Sequence, residues 1–313
     1  MKKIVLLLPC LLLMSACSSQ RASLAVQSFE HLNYPYKVKQ VKLDDGKVIA
    51  YMDEGKGAQT LIFVHGLGSY APAWKKNLAV LKKDFRCVAL DLPGYGKSSK
   101  GQYDATMTAF ANNLVAFMDH LKIDQAVLVG HSMGGQIATT VALQSPERVS
   151  QLVLLAPAGF ETFSPEESQL LIGLFTAETV KTTTDEQIKT NLALNFHKMP
   201  EDATFMVDDR IGMRKAEGFD DYCYVVAACV RGMLNEPVYD QLGNIAQKTL
   251  VVFGENDALI PNRYLHQATT TEVARSGVEK MPNAELKMIP LAGHFVQFEK
   301  AAEVNSVISS FLK

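Results

Sequence analysis

Ser132 is the residue of this chain with the clearest potential for nucleophilic chemistry. It lies between Gly130 and Gly134 in a Gly-x-Ser-x-Gly segment, after the apolar run 126–129 and before residues that can form a helix. A strand, a sharp turn and a helix together expose such a serine at a strained turn. The helix N-terminus then points its partial positive charge at the position of a developing oxyanion. On its own, however, a glycine-flanked serine is often only a tight turn.

A serine hydroxyl becomes a good nucleophile only with a base and with an acid that orients the base. Among the seven histidines, His294 is the best candidate base, since it follows a predicted strand and a short turn and precedes the last helix. Asp257 directly follows an apolar strand and is the preferred acid, with Glu255 as the near alternative. The order serine, acid, histidine is the one expected for this arrangement.

An oxyanion also needs two preorganised donors. The backbone N–H of Met133, next to the serine, is one candidate, and that of Leu67, in the loop after the strand 60–64, is the second. Gly66 and Gly68 allow this loop to approach closely. We interpret His65 as a residue that packs the loop and not as a catalytic group.

Two further polar residues near these motifs are interpreted as structural. Asp91 precedes Gly94 and Gly96, and a carboxylate in such a segment most often accepts hydrogen bonds from local backbone. His131 precedes the serine and is expected to line the turn. The predicted site contains no metal-ligand pattern and needs neither a metal nor a cofactor.

The elements that must position these residues alternate between strand and helix. An antiparallel hairpin with an Asp-Gly turn is predicted for 38–52, followed by apolar strands and amphipathic helices. Such alternation predicts an α/β fold with a mostly parallel central sheet and helices on both faces. Ligands of such sheets bind at the carboxyl ends of the strands, where every candidate residue above is found.

The alternation is interrupted by a helical stretch, which divides the chain. We predict a first core part at 37–159, a helical cap at 160–245 and a second core part at 246–313. Apolar cap residues are expected mainly to pack the cap on the core, with an acyl pocket as the alternative. These residues are Leu170, Leu174, Phe175, Met206 and Met213.

The N-terminus has the features of an export signal. Lys2 and Lys3 precede an apolar run too short to span a bilayer, and small residues then lead to Cys17. Residues 1–16 resemble a bacterial lipoprotein signal, which implies lipid attachment at Cys17, a tether at 17–36 and an envelope location. Ser18 favours the outer membrane by the same resemblance. A soluble periplasmic or secreted protein is the alternative.

Composition narrows the range of partners. The 313 residues are 48% hydrophobic with a net charge of −2, which permits one large domain and argues against a nucleic-acid partner. Cys87, Cys223 and Cys229 are interpreted as free thiols, because residues six apart on a helix lie too far apart for an unstrained disulfide. The sequence does not predict an oligomeric state.

Together these motifs resemble the α/β-hydrolase superfamily from about Val48 to the C-terminus. The segments that carry the resemblance are His65-Gly66-x-Gly68, Asp91-x-Pro93-Gly94-x-Gly96-x-Ser98, Gly130-His131-Ser132-Met133-Gly134-Gly135, Gly254-x-x-Asp257 and Gly293-His294. The resemblance is closest to bacterial lipid-anchored esterases and lipases. It implies a Ser132-Asp257-His294 site that cleaves small-molecule carboxylic esters, and the single glycine before Leu67 resembles members acting on short to medium acyl chains.

Two other functions remain open at this point. A C–C bond hydrolase of diketone-type substrates uses the same three residues. A non-catalytic binding protein on the same fold is the other alternative, although such a protein would be expected to lack one of them.

Overall fold

The computed structural model describes residues 28–313. The predicted signal peptide and the lipid attachment site Cys17 therefore lie outside the described residues. Within residues 28–313, no helix combines the length and the apolar character that crossing a membrane requires.

One eight-stranded sheet forms the centre of the molecule, in the order β1-β2-β4-β3-β5-β6-β7-β8. β1 pairs antiparallel with β2, and β2 with β4, whereas all other pairs are parallel. The predicted hairpin and mostly parallel α/β sheet are therefore confirmed. The strands are β1 Val38–Lys42, β2 Val48–Glu54, β3 Thr60–Val64, β4 Arg86–Leu90, β5 Ala126–His131, β6 Val149–Leu155, β7 Lys248–Gly254 and β8 Ala284–Ile289.

Eleven α-helices accompany the sheet in the described part of the chain. They are α1 Lys75–Leu81, α2 Met107–His120, α3 Met133–Gln144, α4 Pro165–Leu174, α5 Ala177–Thr182, α6 Asp185–Ala193, α7 Thr204–Gly212, α8 Phe219–Asn235, α9 Thr270–Lys280, α10 Val296–Glu299 and α11 Ala301–Leu312. Short 3-10 helices cover Phe29–His31, Ala71–Trp74, Pro146–Arg148, Glu201–Ala203, Met213–Lys215 and Tyr239–Asn244. The sequence pattern does not predict α9, because its residues are mostly polar, with only Val273 and Val278 as large apolar side chains.

The central strands are covered on both faces, which explains their uninterrupted apolar sequences. In β3, Ile62 and Val64 belong to one buried cluster, whereas Leu61 and Phe63 belong to another on the opposite face. Side chains alternate between the two faces of a strand, so each strand contributes to both clusters. The carboxyl ends of these rigid strands therefore provide fixed positions for the loops that follow them.

The chain between β6 and β7 forms the helices α4–α8, which lie over one end of the sheet. Hydroxyl side chains start three of them: Ser164, Thr176 and Thr184 each accept a backbone N–H within a capping box. These hydrogen bonds at the helix N-termini specify where the helices begin, although many side chains between residues 160 and 245 are exposed to solvent. We refer to residues 160–245 as the cap.

The segment 28–36 differs from the expected tether because it packs on the domain. Phe29 and Leu32 are buried, and the ring of Phe29 lies 6.1 Å from that of Tyr222 in α8. Tyr34 donates a 2.6 Å hydrogen bond to Asp91. The predicted tether 17–36 is therefore wrong for residues 28–36, because their aromatic side chains contact distant parts of the chain.

The prediction that three of the cysteines are free thiols is confirmed. Cys87, Cys223 and Cys229 are free and buried in the structure. Burial raises the pKa of Cys87 and of Cys229 to about 12, so both remain thiols near neutral pH.

Candidate active site

Ser132 occupies a strained turn between β5 and α3. Its backbone has φ 52° and ψ −121°, which is unfavourable for a residue with a side chain. The neighbouring glycines allow the turn, since a Cβ on Gly134 would lie 2.2 Å from the carbonyl oxygen of Val64. The predicted strand-turn-helix context of Ser132 is therefore present.

His294 and Asp257 form a buried pair. The Nδ1 of His294 lies 2.7 Å from Oδ2 of Asp257, and the two residues are 4% and 1% exposed. The other carboxylate oxygen accepts the backbone N–H groups of Leu259 and Ile260. Because a carboxylate only accepts, Nδ1 carries the proton of this hydrogen bond, which makes Nε2 the basic nitrogen of the neutral imidazole. The alternative acid, Glu255, is exposed to solvent.

His131 connects the serine turn to the histidine loop. Its Nε2–H donates a 3.0 Å hydrogen bond to the carbonyl oxygen of His294, and the two rings are 4.9 Å apart. Burial lowers the pKa of His131 well below its usual value, so the ring is neutral and can donate from one nitrogen only. Ser132 and His294 therefore lie on two adjacent loops joined by this contact.

The loop of Leu67 runs directly beside the serine. A Cβ on Gly66 would lie 3.0 Å from Cβ of Ser132. In residues 28–313, the backbone N–H groups of Leu67 and Met133 donate to no protein acceptor. Two unused donors next to a serine are the arrangement needed to bind an oxyanion.

His65 holds this loop, as predicted. Its Nδ1–H donates to the carbonyl of Gly66 at 2.8 Å, and its Nε2 accepts the N–H of Leu92 at 3.0 Å. Desolvation by complete burial lowers the pKa of His65 to about 4. The ring is therefore neutral at pH 7 and acts through its two hydrogen bonds.

Asp91 is also structural, as predicted. One carboxylate oxygen accepts the N–H of Ala71 at 2.7 Å, and the other accepts the N–H of Lys97 and the hydroxyl of Tyr34. Burial raises the pKa of Asp91. The carboxylate ties the N-terminal segment to two loops beside the site.

A pocket of about 250 Å³ opens between the Leu67 loop and the cap. Of the cap residues considered for an acyl pocket, Phe175, Met206 and Met213 line it, whereas Leu170 and Leu174 are exposed to solvent. The other lining residues are Leu67, Gly68, Ser69, Tyr70, Gly96, Val180, Thr183, Ile188, Asn191, Leu192, Asn195, Arg210, Tyr222, Val226 and Phe295.

Arg210 gives this mostly apolar pocket one cationic wall. Its guanidinium lies 4.5 Å from the ring centre of Tyr222 and pairs with no carboxylate within residues 28–313. Sequence reasoning missed Arg210 because a single arginine on a cap helix belongs to no motif. In the same described range, no cluster of three or more His, Cys, Asp or Glu side chains is suited to a metal ion.

Comparison with known proteins identifies the family. Residues 59–301 match the model of the alpha/beta hydrolase fold. The chain is 30% identical over 270 residues to a dihydrolipoyllysine-residue acetyltransferase component of an acetoin cleaving system from Cupriavidus necator, covering 86% of this chain and 67% of that relative. It thus spans about two thirds of that relative's length.

A second relative and a solved structure are matched over nearly their full length. The relative is a 2-hydroxy-6-oxononadienedioate/2-hydroxy-6-oxononatrienedioate hydrolase from Paraburkholderia xenovorans, 29% identical over 88% of this chain and 94% of its own. The structure is a thermophilic esterase from Thermogutta terrifontis, with a TM-score of 0.72, 25% identity, and coverage of 88% and 98%. The sheet order, the strained serine turn and the match over residues 59–301 agree: this chain belongs to the α/β-hydrolase fold family and is a hydrolase.

Proposed function

We propose that the protein cleaves carboxylic esters of short to medium acyl chains, with Ser132 as nucleophile, His294 as base and Asp257 as the acid that orients it. The observation that carries the proposal is the buried His294–Asp257 pair on a loop that His131 joins to the strained serine turn. The free N–H groups of Leu67 and Met133 support it as the oxyanion donors.

The reaction proceeds in two halves. Nε2 of His294 takes the proton from Ser132 as Oγ attacks the ester carbonyl carbon, and the two N–H groups bind the oxyanion. The intermediate collapses to an acyl-enzyme, and the leaving alkoxide takes the proton from His294. Water then loses a proton to His294 and attacks the acyl carbon. The second intermediate collapses to the free acid, and Oγ of Ser132 takes the proton back from His294. Asp257 keeps Nδ1 protonated throughout.

The size of the pocket supports the expected chain length. Its volume of about 250 Å³ lies below the roughly 300–1,000 Å³ of typical small-molecule pockets. A series of p-nitrophenyl esters from acetate to palmitate should therefore give the highest kcat/KM at short to medium chains. An optimum at palmitate would contradict this assignment.

Arg210 favours a second candidate, the hydrolysis of a C–C bond in an acidic diketone-type substrate. An unpaired guanidinium at an apolar pocket wall suits a substrate carboxylate. The relative from Paraburkholderia xenovorans is named for a dioate, which is an acid. The uncharged variant Arg210→Met separates the candidates, because it should lower kcat/KM for an acidic substrate and leave neutral esters nearly unchanged.

The nucleophile is tested by Ser132→Ala together with a fluorophosphonate probe. Wild-type protein should be labelled, and the variant should fold, resist labelling and lose turnover of p-nitrophenyl butyrate by at least about 10⁴-fold. If the wild-type protein were not labelled, the non-catalytic binding protein would be the better description.

We also propose that Cys17 carries a lipid that anchors the protein in the cell envelope, with the outer membrane as the expected site. The support is the sequence of residues 2–18. Metabolic labelling with an alkyne fatty acid in a bacterial host should label wild type and Cys10→Ala but not Cys17→Ala. Equal labelling of all three would contradict the attachment site.

A further inference from the structure

Glu299, at the end of α10, joins the cap to the loop of His294. One carboxylate oxygen accepts the N–H of Gly293 at 2.8 Å and that of His197 at 3.0 Å, and the other accepts the N–H of Lys198 at 2.7 Å. Two of these donors belong to the cap, and the third immediately precedes His294. A single carboxylate thus links two segments about a hundred residues apart in the chain.

Further contacts leave little room for these segments to move independently. The N–H of Phe295 donates to the carbonyl of Asn195 at 2.8 Å, and the rings of Phe196 and Phe295 are stacked at 5.4 Å. A Cβ on Gly293 would lie 2.6 Å from the backbone nitrogen of His197. The cap loop 195–198 and the loop 293–295 therefore form one contact unit.

The same unit borders the pocket, since both Asn195 and Phe295 line it. A substrate in the pocket therefore touches the cap loop and the residue after His294 together. His131, the last residue of β5, donates to the carbonyl of His294, and its ring lies 4.6 Å from that of Phe295. The loop 293–295 is thus held both by a residue of the sheet and by residues of the cap.

We propose that Glu299 is a positioning residue that couples the cap to His294, so that the imidazole is correctly placed only when the loop 195–198 packs against the loop 293–295. The consequence for catalysis rests on the proposed role of His294 as base. The coupling itself does not rest on that role, because it concerns only the contacts of Glu299 with the loops 195–198 and 293–295.

The coupling is tested by hydrogen exchange of the full-length protein. In Glu299→Ala, exchange should rise together in peptides containing His197 and Lys198 and in peptides containing Gly293. Glu299→Gln keeps one acceptor oxygen and should have an intermediate effect. The matched control is Glu303→Gln, which removes the same charge from an exposed residue of α11. The control should exchange as wild type does.

The consequence for His294 is tested by two other measurements. The downfield proton resonance of the His294 Nδ1–H should shift in Glu299→Ala, and kcat for p-nitrophenyl butyrate should fall about 10-fold, with Glu299→Gln between wild type and alanine. Glu303→Gln should leave both unchanged. If Glu299→Ala fails to fold, the comparison of Glu299→Gln with Glu303→Gln provides the same test.

Several results would overturn the proposal. Faster exchange in only one of the two loops would mean that Glu299 does not couple them. Faster exchange in both, with an unchanged resonance and unchanged kcat, would mean that the contact does not position His294. Failure of the proposed hydrolase function is distinguishable, because wild-type protein would then resist the fluorophosphonate probe whatever the exchange result.

Discussion

The sheet around Ser132 and the cap above it are built differently. Around the serine, Leu61, Phe63 and Val129 are fully buried, and a Cβ on Gly134 would overlap backbone of β3. In the cap, Leu170 and Leu174 are 53% and 58% exposed, and a Cβ on Gly173 would meet no atom within 4 Å. The proposed chemistry therefore lies where the backbone is closely packed, whereas the outer surface of the cap is open to solvent, although the cap residues Met206 and Met213 that line the pocket are buried.

This difference has a physical reason. Close-packed backbone in the sheet fixes the loops at its carboxyl ends, and catalysis requires placement of groups within a fraction of an ångström. A cap that is only partly buried can change its side chains at little cost in stability. Substitutions in the two regions should therefore differ in size and even in sign.

The largest effect is expected from Asp257→Asn. The amide would favour the wrong tautomer of His294, and kcat should fall by roughly 10⁴-fold with little change in thermal stability. Glu255→Gln, two residues away and exposed, is the matched control and should change kcat less than about 2-fold. Esterase assays with both variants make the measurement. Equal losses in the two variants would contradict the assignment of the acid.

The next largest effect is expected from Gly134→Ala. The added Cβ would lie 2.2 Å from the carbonyl oxygen of Val64 and 2.7 Å from that of His65, and neither is a flexible side chain. We expect a loss of about 4 kcal/mol or more in the free energy of unfolding. Denaturation by urea measures it, and a loss below about 1 kcal/mol would show that this part of the sheet can adapt.

A pH-dependent effect of intermediate size is expected from His65. Its pKa is about 4 in the folded protein and about 6.5 when unfolded, so the unfolded state binds the proton first as the pH falls. The neutral His65 therefore contributes its full stabilisation above pH 6.5, and this contribution is lost progressively as the pH falls to about 4. When the pH is lowered from 7 to 5, the free energy of unfolding should fall by about 2 kcal/mol more in wild type than in His65→Asn.

Urea denaturation of both proteins at the two pH values makes this measurement. Parallel pH profiles for wild type and His65→Asn would show that His65 does not remain neutral in the folded protein. The difference between the two proteins in the pH dependence of the unfolding free energy isolates His65, because the other titrating groups are the same in both.

Smaller effects are expected in the cap. Ser164→Ala removes the hydroxyl that accepts the N–H of Glu167 at the start of α4 and should cost about 1 kcal/mol. Thr162→Ala, just outside the helix, is a suitable control. Equal effects of the two substitutions on urea denaturation would contradict a capping role for Ser164.

The smallest effect, and one of opposite sign, is expected from Gly173→Ala in the same helix. Alanine has the higher helix propensity and meets no neighbour, so the free energy of unfolding should rise by up to about 1 kcal/mol. A clear destabilisation measured by urea denaturation would show that the cap is packed as tightly as the sheet.

The sequence by itself determined the parallel sheet, the strained serine turn and the structural roles of His65 and Asp91. These features are encoded locally, by apolar runs, by glycine spacing and by polar residues at strand ends. The three candidate residues of the site were also identified in this way, because each follows its own strand.

The sequence preferred Asp257 as the acid, and the tertiary structure decided against the alternative Glu255, because Asp257 meets His294 whereas Glu255 is exposed. Only the tertiary structure decided that residues 28–36 pack on the domain, that Arg210 faces the pocket and that Glu299 joins the cap to the histidine loop. These contacts connect segments far apart in the chain, on half-exposed surfaces without a periodic pattern. Local sequence patterns do not encode such pairings, because each partner is chosen by the packing of the whole fold.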